Sequence, residues 1–421
     1  MNEKRATTML LACGALSGAL LMWRPHGTLA LLPALAVLVA GLSNRASRWA
    51  QGVVLVVILL VAVPVAGVQN SFLFELGTQI GICAALALGL NIVVGMAGLL
   101  DLGYAGFFGL GAYTWAIFGS AQANAWLPGA HFPLPGWPWF YVFVALAVIV
   151  AAGTGVLIGL PALRLRGDYL AVVTLGLGQV VRLLANNLDH PLNITNGPQG
   201  ISPIERPPIG WLSDGLAAAG VRLPPAVAYA LFFYLLVLAL AAAVVLVTTR
   251  LDRSRFGRAW VAIREDEMAA QSVGISLLRT KTLAFATGAA FSGAMGAVFA
   301  AKQLFVSPDS FTFLQSITIL VMVLLGGMGS IRGAILGAAA VTLLNIEVLK
   351  SLSDGLNTLR QSGFVLHLGP LHYDVARLPS QLEPAKYERM IFGMIIILMT
   401  IFRPSGLIPE QRHRLELEGG E

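Results

Sequence analysis

RLDRSRFGRAWVAIREDEMAAQSVGISLLRTK, residues 250–281, is a dense polar block in a chain that is otherwise lipid-soluble. Phe256, Trp260, Ile263, Ala270 and Val273 recur within it at helical spacing, so one face of each short helical piece can bury while the other stays wet. The run Arg264-Glu265-Asp266-Glu267 interrupts that pattern. The spacing predicts two short helices. The first ends near Arg264; the second takes Asp266 as N-cap and stops at Gly274, a natural left-handed terminator. Bases closing the first helix and acids opening the second suit the helix dipoles. Phe256 and Trp260 are large apolar groups in a polar block, and they need something to pack on, either the protein's own apolar segments or a partner.

Outward from this block the chain changes character. Of its 421 residues 57% are hydrophobic and 11% charged, whereas soluble domains carry about a quarter charged residues. The chain is therefore solvated mostly by lipid, as an all-α polytopic membrane protein. Apolar segments fall near residues 8–22, 28–43, 49–68, 76–98, 104–119, 139–160, 169–185, 226–249, 282–301, 312–327, 334–349 and 388–402. Several are shorter than the roughly 20 residues that cross a bilayer upright. Some can be half-helices or parts of one broken span, so the expectation is ten to twelve hydrophobic segments. The opening MNEKRATTMLLACGALSGALLMW resembles a signal peptide, but another apolar run follows at once with no clear cleavage site, and a retained first span is expected.

Alternating the segments from an inner N-terminus places Lys4, Arg5, Arg45, Arg48, Arg164, Arg166, the seven bases from Arg250 to Lys281, Arg332, Arg403, Arg412 and Arg414 on the inner side. That is seventeen of 27 bases, concentrated in short loops where the positive-inside rule has force. The rule makes both termini and the 250–281 block cytoplasmic. It also explains the excess of Lys and Arg over Asp and Glu without any nucleic-acid partner. Residues 120–138 and 186–225 are outer connections rich in Gly, Pro, Asn and Trp, and 351–386 is a third long, mixed one. Cys13 and Cys83 lie in apolar runs and read as buried structural thiols.

Glycine-rich runs interrupt the apolar segments at 91–113, 161–184, 284–301 and 320–338. Small residues one turn apart let membrane helices approach closely. They also permit broken helices beside protein or water. Close packing is the plainer reading of Gly95, Gly98, Gly326 and Gly327; a place on a translocation pathway is the sharper one. Asp101 joins them because a carboxylate between apolar runs marks a cavity, a partner or a membrane edge, and its position in a turn favours the edge. Catalytic patterns are absent: no GxxxxGK[ST], HExxH or GxSxG occurs, and the six histidines are scattered. A chain of this kind is not an enzyme in its own right, and energy for uphill transport has to enter from elsewhere. An ion-coupled secondary transporter, an integral membrane enzyme and a non-transporting assembly subunit are the competing classes; the first two need intramembrane charge pairs or clustered His, Asp and Glu.

In order, GLNIVVGMAGLLDLGYAGFFGLGAY, PALRLRGDYLAVVTLGLGQVVRLL, NGPQGI, FGRAWVAIREDEMAAQSVGI, SPDSFTFLQS, VLLGGMGSIRG and RPSGLIPE resemble the LivM-type permease subunit of branched-chain amino-acid ABC importers. The resemblance implies an extra N-terminal transmembrane region at 1–70, a permease domain at 71–410 and a cytoplasmic tail at 411–421. It implies a homologous second permease (LivH-type), two cytoplasmic ATPase subunits, a periplasmic amino-acid-binding protein and residence in the bacterial inner membrane. No cofactor is then bound directly, ATP and Mg residing on the partner subunits. The 256–274 helices are similar to the segment that docks on the ATPase, with Phe256 and Trp260 as apolar anchors and Arg258, Arg264, Glu265, Asp266 and Glu267 as polar contacts; Gly257 lies within the same segment. Ala269, Ala270 and Gly274 match the end of the importer EAA…G pattern, but Met268 stands where its glutamate belongs and Glu267 lies one place earlier. Asp101 stands where the family has a small or apolar residue, and 351–386 is longer than the usual connection.

Overall fold

Long runs that are apolar on every side leave the backbone no water to bond with, so they close their hydrogen bonds internally as helices. The computed structural model of the chain describes residues 48–125, 127, 129, 131–134, 136–162, 168–218, 220, 222–361, 365–368, 371–374, 387–402 and 406–408. The expected segments at 8–22 and 28–43, Cys13, the bases Lys4, Arg5, Arg45, Arg164, Arg166 and Arg403, and the tail from 409 lie outside the described residues.

Fifteen helices follow in order among the described residues: α1 (Arg48–Val57), α2 (Val63–Gln69), α3 (Phe72–Asn91), α4 (Tyr104–Phe118), α5 (Trp137–Ala162), α6 (Asp168–Asn187), α7 (Gly210–Ala218), α8 (Pro225–Asp252), α9 (Arg255–Glu265), α10 (Glu267–Ser272), α11 (Leu277–Gln303), α12 (Phe313–Gly326), α13 (Ile331–Leu343), α14 (Leu349–Gln361) and α15 (Glu388–Phe402). Widened π turns at Ile58–Ala62, Ile92–Met96 and Leu344–Val348 join α1 to α2, extend α3 and join α13 to α14. Among the described residues eight stretches are long and apolar enough to cross a membrane. With the shorter apolar helices α4 and α15, all ten expected segments from residue 49 onward are helical. The protein is an all-α polytopic membrane protein with one small exception. Within 351–386 the chain forms α14 and a hairpin of β1 (Val365–Leu368) and β2 (Leu371–Asp374), pairing Val365 with Asp374 and Leu368 with Leu371.

α3 and α11 form the centre, and α1–α2, α5 and α6 keep most of their surface outward. Small residues make the central contacts possible. A Cβ on Gly296 would lie 2.2 Å from Phe108 O, and one on Gly111 would lie 2.1 Å from Gly293 O. With no water to expel between lipid-soluble helices, this close packing supplies most of the association energy. Buried polar groups tie the same centre: Tyr104 Oη donates to Gly288 O at 2.9 Å, and Ala105 N donates to Ser316 Oγ at 2.9 Å. The ends of α3, α8 and α12 and the starts of α11 and α13 meet on one face, and α9 and α10 lie across it. The opposite face is closed by backbone bonds between 201–205 and 304–306 and between Glu205 N and Gly119 O.

Candidate functional site

The 250–281 block folds as its caps dictate. Ser254 Oγ accepts from Phe256 N and Gly257 N to open α9. Asp266 Oδ1 accepts from Met268 N at 2.8 Å and Ala269 N at 3.0 Å to open α10. At the far end Ile275 N bonds Ala270 O, Gly274 N bonds Gln271 O, and Gly274 takes φ +88°. This is the Schellman closure that a left-handed glycine permits. Gly257 lets α9 turn tightly off α8: a Cβ there would sit 2.4 Å from Asp252 O.

The apolar stripe divides between two faces. Trp260, Ile263 and Ala270 are buried, and Trp260 is fully enclosed, its Nε1 donating to Thr280 O at 2.8 Å. Phe256, Met268 and Val273 are exposed. Two expectations are corrected here. Trp260 is not an anchor for a partner, because it packs on this chain's own spans and has no surface left to offer. Val273 is not a burying residue, because it follows the last turn of α10 and points away, 76% exposed.

The charges divide as well. Arg258 is exposed, and Glu265 is exposed while its Oε1 accepts from Arg264. Glu267 turns inward and pairs with Lys281, whose side chain is only 3% accessible. A buried ammonium needs such a partner, so Glu267 is committed within the fold rather than held out as a polar contact. Arg264 is also turned inward. Its Nη1 donates to Gly95 O at 2.6 Å, and its stem lies so close to Gly98 that a Cβ there would fall 2.7 Å from Cγ. Gly98 holds φ +69°.

The arginine thus brings α9 to the glycine-rich ends. Beyond Asn91, α3 widens into its π turn: Ile92 O accepts from Ala97 N and Val93 O from Leu99 N. Gly95 O is satisfied by Arg264. Asn91 Oδ1 accepts from Gly329 N at 2.9 Å, in the turn between α12 and α13. Gly95 is wedged between these groups, since a Cβ would lie 2.1 Å from Asn91 Oδ1 and 2.3 Å from Gly329 N. Gly326 meets Gly333 backbone to backbone, and the last carbonyls of α12 accept from Leu407 N and Ile408 N. Gly95, Gly326 and Gly327 are all buried. In this conformation they make close backbone contacts, the plainer of their two readings.

Asp101 is 1% exposed, enclosed by the protein although it lies in a turn between two spans. It sits in the connection from α3 to α4, against a cavity of about 10 Å³ bordered by Gly103, Thr174, Gly178 and Phe285. Oδ1 accepts from Gly103 N at 2.9 Å, while no donor among the described residues meets Oδ2. Burial pushes its carboxyl from 3.8 up to about 6, with the Gly103 amide pulling the other way.

A family model described as "Branched-chain amino acid transport system / permease component" matches residues 72–400. The chain belongs to that family. The high-affinity branched-chain amino acid transport system permease protein LivM of Salmonella typhimurium is 37% identical over 383 residues, 88% of this chain and 78% of that protein. The corresponding Escherichia coli protein is 37% identical over 382 residues, with the same shares covered. No solved structure matches. The family match begins at the first residue of α3 and takes in α9, α10 and both glycine-rich ends.

Asn91 and Lys281 are the residues of this site that the sequence pattern passed over. Both carry a signal: an amide at the end of an apolar run and a lysine at the start of one are each costly in a bilayer unless partnered.

Proposed function

We propose that this permease moves branched-chain amino acids inward across a bacterial inner membrane, driven by two cytoplasmic ATPase subunits docked on the 256–274 face. The observation that carries this reading is the exposed apolar trio Phe256, Met268 and Val273, on a helix pair whose rear is bolted to the spans. Large apolar groups at the centre of a polar surface are what a docking partner buries. Arg258 and Glu265 flank them as rim charges, and Ala269 and Gly274 keep the surface low enough for a groove to close over it. Gly257 and Ala270 shape the knuckle from within, and the exposed Asp266 caps its second helix.

In this reading both termini and the 250–281 block are cytoplasmic, a second homologous permease completes the membrane pair, and a periplasmic protein delivers the amino acid. The cargo assignment rests on the names of the Salmonella and Escherichia relatives. Gly95, Gly98, Gly326 and Gly327 border the route where it opens to the docking face, since broken helix ends supply movable backbone at membrane depth. Proton coupling is the second reading, favoured by one observation: the buried Asp101 carboxylate with its unbonded oxygen. The discriminating test is uptake of labelled leucine in cells depleted of ATP while the ion gradient is held. Import that stops supports the ATP-driven reading; import that continues and collapses with the gradient supports the other.

A further inference from the structure

We propose that Arg264 and Asn91 are positioning residues of a latch that carries movement of α9 to the broken ends of α3 and α12; the proposal rests on the ATP-driven reading above. α9 is held to the spans through two side chains of different kind. Trp260 is enclosed and bonded to the first turn of α11, a regular helix 27 residues long. Helix α11 can move with α9 only as a rigid body. Arg264 reaches instead to Gly95 O, inside the π turn Ile92–Met96, where wider bonds such as Ala97 N to Ile92 O replace the regular ladder.

A widened turn at a helix end is the place where the backbone can change conformation without breaking the regular i→i+4 ladder of the helix body. The Arg264–Gly95 bond is charge-assisted and joins residues 169 apart in sequence, so it links two elements that the chain itself does not. Gly95 then passes displacement on by contact. It has no free space toward Asn91 Oδ1 or Gly329 N, and Asn91 holds the Gly329 amide directly.

The receiving turn is built to yield. Gly327 and Gly329 hold φ +116° and +78°, and Ser330 caps α13 immediately after them. Movement of the guanidinium toward or away from α3 therefore changes the Gly95 backbone and the 327–330 turn together. The helix bodies of α3 and α12, packed against their neighbours, stay where they are. The geometry makes Arg264 a connecting rod rather than a partner contact, and Asn91 its second joint.

The test uses the whole complex, with both permeases, both ATPases and the binding protein, in proteoliposomes. The readout is ATP hydrolysed per amino acid imported, a ratio that mere loss of folded protein does not move. Arg264→Met and Asn91→Leu should each raise that ratio about tenfold, the scale of one charge-assisted or buried hydrogen bond. ATPase subunits should co-purify at wild-type stoichiometry. Arg264→Lys, which keeps a charged donor, should fall between, and the double variant should be no worse than the worse single. A wild-type ratio in Arg264→Met overturns the latch, as does loss of bound ATPase in that variant, which would make Arg264 a docking contact. If Asn91→Leu fails to assemble, the two Arg264 variants decide. Import by the wild-type complex without ATP would overturn the underlying reading instead, and the control arm shows it separately.

Discussion

Replacing Trp260 and Phe256 in turn separates the fold's own anchor from the surface proposed to dock a partner. The two aromatics lie one helical turn apart, yet Trp260 is fully enclosed and Phe256 is 37% exposed beneath the Arg255 guanidinium. Trp260→Ala removes a whole indole from a closed site and should cost about 3–5 kcal/mol. Trp260→Phe keeps most of the ring but loses the Nε1 bond to Thr280 O; it should cost about 1–2 kcal/mol, one hydrogen bond plus a small void. Phe256→Ala should cost the isolated chain only about 1 kcal/mol, because over a third of that residue is already wet. The assay is thermal melting of the purified permease in detergent, followed by ATPase binding to the same samples. The expected order of melting temperature is wild type and Phe256→Ala together, then Trp260→Phe, then Trp260→Ala. The expected order of ATPase binding places Phe256→Ala below Trp260→Phe. A Trp260→Ala protein that melts like wild type, or Phe256→Ala melting below Trp260→Phe, refutes the division of faces.

Three further outcomes follow from the same geometry. Glu267→Gln leaves the buried Lys281 ammonium without its counter-charge and should lower stability by about 3 kcal/mol; adding Lys281→Met should recover most of it, measured by melting of the single and double variants. Gly274→Ala should cost about 1–2 kcal/mol through its left-handed backbone alone, since nothing lies within 4 Å of an added Cβ, and Gly274→Asn should cost less. Asp101 has a raised carboxyl pKa, so the folded state holds its proton more tightly than the unfolded chain does. Its contribution is fully present below the unfolded value of 3.8 and is lost as pH rises to about 6, a total of about 3 kcal/mol. Asp101→Asn should lack that slope, so the melting difference between wild type and variant should change between pH 4 and 6 and be flat above; a constant difference across that window contradicts it.

The sequence carried the local chemistry of the 250–281 block almost completely. Asp266 followed by a short run to Gly274 specifies a cap and a stop, and both operate as the residue types require. The direction of Trp260 was not legible, because periodicity defines a face without naming what lies opposite it. Val273 was misplaced for a related reason: the helical phase that assigns it to the stripe ends at Ser272. The destinations of Arg264 and Glu267 were hidden too, since Gly95 and Lys281 come within reach only once the span ends are packed together. Hydropathy located every apolar segment among the described residues but could not separate an α-helix from the π turns at 58–62, 92–96 and 344–348, which have the same composition. The paired strands 365–368 and 371–374 lay inside a connection read only as mixed.

The most direct measurement is a photo-activated cross-linker placed at Met268 or Val273 in the full complex in native membranes. The account predicts an adduct with an ATPase subunit that is lost when the ATPases are stripped, and no labelling of either position by a membrane-impermeant reagent applied from outside. An adduct with the external binding protein, or ready labelling from outside, would contradict it.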